Sequence, residues 1–97
     1  MLTEEQCAEL EAKARNSRDN ARAEELVVEA FMPEYRKGLS GHPEACQATH
    51  DRSMELYDFA VKGGHRARDF IKNAQLYEAA AAMGRAALSN GDRGSAA

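Results

Sequence analysis

The run from Arg68 to Leu88, RDFIKNAQLYEAAAAMGRAAL, limits most tightly what this chain can fold into. It contains no proline and a single glycine, and its Ala, Leu, Met and Gln content makes it the best helix former in the sequence. Phe70, Ala74, Tyr77, Ala81, Gly84 and Leu88 recur at alternating spacings of four and three, which places them on one helix face. That face is bulky at its start and nearly flat from Ala79 to Ala87. A flat face of Ala and Gly admits a second backbone at close range, so this helix is expected to be the floor on which the rest packs.

The N-terminal third carries a related signal. Thr3-Glu4-Glu5-Gln6 fits a capping box and predicts a helix start. Cys7, Leu10, Ala14, Ser17, Ala21, Val28, Phe31 and Tyr35 then follow a seven-residue repeat, interrupted at Glu24 or Glu25. The segment Lys13 to Asn20 is polar and rich in residues competent to cap a helix. The repeat keeps its phase across it, so one continuous helix is predicted. Leu26 to Met32, LVVEAFM, is apolar on nearly every side and so is expected to be covered on more than one. Pro33 should kink or restart the helix, which is expected to end at Gly38.

His42-Pro43-Glu44 reads as a second helix start, with proline at the first helical position and an acid in the first turn. Met54, Tyr57 and Val61 form its stripe, widened by Leu56, Phe59 and Ala60. Gly63-Gly64 is expected to end that helix, His65 to Asp69 to open a third, and Asn90-Gly91 to close it. The expected fold is all-α. It is a three-helix antiparallel bundle, or helical hairpin, with a long N-terminal helix, occupying 1–91 as a single domain and followed by a disordered tail at 92–97. Leu, Ile, Val and Phe together make up only about a seventh of the 97 residues. So thin a core points to completion by a second chain, a homodimer.

Several function classes are disfavoured by composition. A net charge of -3 lacks the basic footprint of nucleic-acid binding. The first ten residues, MLTEEQCAEL, do not form a signal peptide, and no apolar run approaches a membrane span. The two cysteines, Cys7 and Cys46, have no CxxC spacing and read as reduced thiols, the expectation for a cytoplasmic protein. No cofactor is implied.

Three groups of residues are candidates for chemistry. His42, Cys46 and His50 are spaced four apart and would share a helix face able to hold zinc, or else would serve as a cap, a small core residue and a solvated side chain. Gly64, Arg66 and Arg68 would form an anion site if a helix began there, or else a glycine stop followed by soluble arginines. No phosphate loop, nucleophile elbow or HExxH is present. An enzyme whose site is assembled across a dimer, with His50, Tyr57 or Arg68 lining it, is a third possibility.

The apolar surplus carries more weight. Leu26, Val27, Phe31, Met32 and Tyr35 in the first helix, and Leu76, Ala80, Met83 and Ala87 as a second stripe in the last, are more than three helices can bury. Such surplus indicates docking of a protein partner, a second copy, or both. The functional expectation is a small non-enzymatic regulator that inhibits or sequesters another protein, with a metal or small-ligand sensor as the alternative.

Overall fold

The computed structural model describes the backbone of residues 1–96 and the side chains of residues 1–91. It consists of two long helices, α1 (Glu4–Lys37) and α2 (Gln47–Ala96), which form a hairpin; no strand occurs among the described residues. Two compact units can be distinguished. One comprises Met1–Asn20 with α2 from Asp69 onward, and the other is Ala21–Arg68.

The capping box forms as expected. The Thr3 amide donates to Gln6 Oε1 at 2.9 Å and the Gln6 amide donates to Thr3 Oγ1 at 3.2 Å. From there α1 runs unbroken through Lys13 to Asn20. It also continues through Pro33, where a kink or restart was expected. Pro33 is exposed, and the helix continues although the carbonyl four residues back loses its donor.

In the first unit the seam is built from small residues. Cys7, Ala14 and Ser17 of α1 and Ala74, Ala81 and Gly84 of α2 are buried. The flat face of α2 serves the close approach that its composition implied. A Cβ on Gly84 would stand 2.7 Å from Cys7 Sγ and 3.0 Å from Leu2 Cδ1. Arg18 pairs with Glu78 and Arg85 with Glu11, both through two nitrogen–oxygen contacts of 2.6–3.0 Å. A seven-residue step down α1 is thus matched by a seven-residue step up α2. These four residues hold equivalent heptad positions beside the seam, where interhelical ion pairs set orientation and register.

The second unit holds the turn. Leu39 to Cys46 bring the chain round through Gly41, whose φ of 90° is natural only for glycine. Gly38 sits against Thr49 and Ser53, and any side chain there would collide with the Thr49 carbonyl. Ser53, fully buried, donates its hydroxyl to the Tyr35 carbonyl. Arg52 reaches Glu34 at 3.2 Å, and Lys37 reaches Glu44 at 3.7 Å.

Several expectations fail here. The helix expected to begin at His42-Pro43 starts only at Gln47, because Cys46 and Thr49 form the cap. More consequentially, there is no third helix among the described residues: α2 continues through Gly63-Gly64. Two interior glycines cost roughly 1 kcal/mol each relative to alanine, which tertiary packing can offset. Gly63 is buried against Glu24 and Val28, so it is a seam residue and not a stop. The stripe Met54, Tyr57 and Val61 is likewise not the buried one. These residues are 45%, 56% and 43% exposed, and the seam runs through Ser53, Leu56, Ala60, Gly63 and Ala67 instead. α2 is traced past Asn90-Gly91 to Ala96; of the 92–97 tail, the side chains and Ala97 lie outside the described residues.

Two consequences can be measured by urea unfolding. Gly84→Leu overpacks the seam and should cost about 1–3 kcal/mol, whereas Gly64→Ala, with nothing within 4 Å of the new methyl, should add up to about 1 kcal/mol. The second concerns pH. Hydrogen bonds from Arg85, Arg66 and Arg18 hold Glu11, Glu24 and Glu78 below the ordinary carboxylate value of 4.5. The unfolded chain then binds more protons in acid, so their contribution is complete above about pH 4.5 and is lost as pH falls through the lowered values. Arg85→Met should flatten the decline in stability between pH 5 and pH 3; an unchanged slope would remove the Glu11 pair from that account.

Candidate functional site

Small seam residues leave the large apolar side chains of the second unit outside. Val28, Phe31, Met32 and Tyr35 of α1 and Leu56, Tyr57, Phe59 and Ala60 of α2 line a groove of about 280 Å³. Its residues belong to the seam and to the heptad positions on either side of it. Phe31 and Phe59 meet edge to face, ring centroids 6.3 Å apart and planes at 75°. This geometry matches the positive edge of one ring to the negative face of the other.

A polar brace fixes the aromatic pair. The Arg66 guanidinium lies 5.6 Å from the centre of the Phe59 ring and donates from Nε and Nη2 to the two carboxylate oxygens of Glu24, at 2.9 and 3.0 Å. Glu24 occupies a seam position, and its side chain is 21% exposed. The hydrogen bonds from Arg66 hold its carboxyl below the usual range and raise the Arg66 value in return. The charge that interrupts the sequence repeat is therefore the anchor of this brace. On the other flank a second hollow of about 310 Å³ is walled by Glu25, Glu29, Gly63 and Gly64, and Arg22 contacts both acids, at 3.1 and 3.7 Å.

The sequence-derived candidates separate in space. Phe31, Met32 and Tyr35 join the groove. Leu26 and Val27 are exposed, at 47% and 37%, but do not line it. Leu76, Ala80, Met83 and Ala87 belong to the other unit, where Leu76 and Met83 are 68% and 74% exposed. Leu56, Tyr57 and Phe59, read from sequence only as part of the second helix's apolar stripe, line the groove, Leu56 from its buried seam position and Tyr57 and Phe59 as exposed side chains. The signal that places them is their position on or beside the small seam residues Ser53, Ala60 and Gly63.

The anion reading of Gly64, Arg66 and Arg68 loses its basis, because residues 63–68 lie in mid-helix and offer no free amides. Arg66 is engaged with Glu24, and Arg68 is exposed on the outer side of α2. His42, Cys46 and His50 do not form a helical ladder either, since α2 begins after Cys46. His42 Nδ1 accepts from the Glu44 amide at 3.1 Å, and among the described residues no group of three His, Cys, Asp or Glu side chains is placed to hold a metal. No helix among the described residues is long and apolar enough to cross a membrane.

Cys46 caps α2. Its amide donates to Thr49 Oγ1 at 2.8 Å, and the Thr49 hydroxyl lies 3.5 Å from Cys46 Sγ. Hydrogen bonds to the sulfur, from the Thr49 side chain first and then from the Thr49 and Ala48 amides, lower the thiol below its ordinary value of 9.0. No protein-family model, curated protein or solved structure matches this chain.

The two thiols should therefore differ in reactivity. At pH 7.5 iodoacetamide should alkylate exposed Cys46 while sparing Cys7, which is fully buried, until urea unfolds the chain. Thr49→Val should slow labelling of Cys46 by raising the thiol pKa. Equal labelling of both cysteines under native conditions would contradict the buried position of Cys7.

Proposed function

We propose that this chain is a small regulatory protein that works by binding another protein, and that the groove of the second unit receives an amphipathic helix of that partner. The observation that carries this reading is the exposure of a preorganised aromatic wall. Phe31, Phe59 and Tyr57 are 37%, 39% and 56% exposed, yet Phe59 contacts both the Phe31 ring and the arginine of the Arg66–Glu24 brace. Rigid aromatic side chains lose little freedom on binding, and such residues dominate the energetics of interfaces. A helix laid in an apolar groove is a recurring recognition mode, read through residues three and four apart. Inhibition or sequestration of the partner would follow from occupying that helix.

The test begins with a photo-crosslinking amino acid at Tyr57 in the cell and, as control, at Glu9 on the outer face of α1. A protein cross-linked only from position 57 is then purified and titrated calorimetrically. Phe59→Asp should weaken binding at least roughly thirty-fold, the loss of one anchor of about 2 kcal/mol, while helicity by circular dichroism stays intact. Equal cross-linking from both positions, or unchanged affinity in the Phe59 variant, would remove the groove as the docking site.

A further inference from the structure

The first unit carries an apolar face that the hairpin does not use. Besides the buried seam, α2 presents a second series at spacings of three and four: Asn73, Leu76, Ala80, Met83, Ala87 and Asn90. Leu76 and Met83 stand out from it, 68% and 74% exposed, whereas Ala80 and Ala87 are half-buried. Glu78 and Arg85 are the charged residues between Asn73 and Asn90, and both are turned to α1 in the pairs with Arg18 and Glu11. The second series therefore carries no charge over about 25 Å of helix, at 1.5 Å per residue.

The geometry points to a second copy of this chain as the occupant of that face, with the two α2 helices antiparallel about a two-fold axis between Ala80 and Met83. A two-fold interface must be complementary to itself. In this register Leu76 packs on the partner's Ala87, Met83 packs on the partner's Ala80, and Asn73 meets the partner's Asn90. Each bulky side chain opposes a methyl, and the polar ends coincide. Sliding one helix by a turn would set an apolar side chain against an asparagine, so the two amides fix the register much as a lone seam asparagine does in coiled coils.

The register is tested by mixing two forms of the full chain, both Cys46→Ser, one with Asn73→Cys and the other with Asn90→Cys, under mild oxidation. The mixed 73–90 disulfide should form and the 73–73 and 90–90 products should not, since in this arrangement like positions lie about 25 Å apart. Sedimentation equilibrium at tens of micromolar should show a dimer, and Met83→Asp should return a monomer of unchanged helicity. Phe59→Asp should remain dimeric, which keeps this face distinct from the groove. A monomeric unmodified chain, a predominant 73–73 product, or loss of helicity in the Met83 variant would each overturn the assignment.

Discussion

Everything in this molecule depends on how closely α1 and α2 approach one another. The approach is set by the residues that are missing bulk: Cys7, Ala14, Ser17 and Ala21 on one helix, and Ser53, Gly63, Ala74, Ala81 and Gly84 on the other. A seam of this kind gains little from transfer of each side chain, since burying an alanine methyl contributes about 0.8 kcal/mol against roughly 1.5–3 for a leucine. It gains instead from the density of contacts between backbones at short range, and from a helix propensity that lowers the cost of ordering two long segments. Leu56 is the one large aliphatic side chain that is buried outright among the described residues.

Small seam residues specify distance well but register poorly, because one alanine resembles the next. Polar contacts supply the register. In the first unit, Glu11 with Arg85 and Arg18 with Glu78 repeat one heptad apart, and a slip of one turn would break both pairs and set charges against neutral residues. In the second unit the task falls to Glu24, a carboxylate at a seam position that is paired with Arg66. A charge placed in a seam is a liability for stability and an asset for uniqueness. Its two-point contact with an arginine that also covers Phe59 satisfies it within that unit.

The features read correctly from sequence were those with a local cause. The Thr3–Gln6 capping box, the continuity of α1 across Lys13 to Asn20, and the flat face of α2 all follow from short-range chemistry and came through. The failures share a different cause. Gly63-Gly64 reads as a stop because glycine favours caps, yet its role depends on Glu24 and Val28, about 35–40 residues earlier. Met54, Tyr57 and Val61 read as the apolar stripe of their helix because bulk is the usual marker of burial, whereas here these three side chains are exposed. The groove is legible only in part for the same reason: Phe31, Met32 and Tyr35 stand out as surplus in the sequence, while Tyr57 and Phe59 read only as members of the second helix's apolar stripe.

That inversion bears on how fold and surface are related. In a protein with a bulky core, the residues that hold the fold and those that could hold a partner compete for the same hydrophobic side chains. Here they are largely divided by size: apart from Leu56, the buried seam residues are small, and Phe31, Tyr57, Phe59, Leu76 and Met83 are left exposed. A substitution at Tyr57, Phe59, Leu76 or Met83 removes little that the hairpin needs, while a single added methyl group at Gly84 would stand 2.7 Å from Cys7 Sγ. Selection acting on such a chain can change what its surface binds without first having to rebuild what keeps it folded.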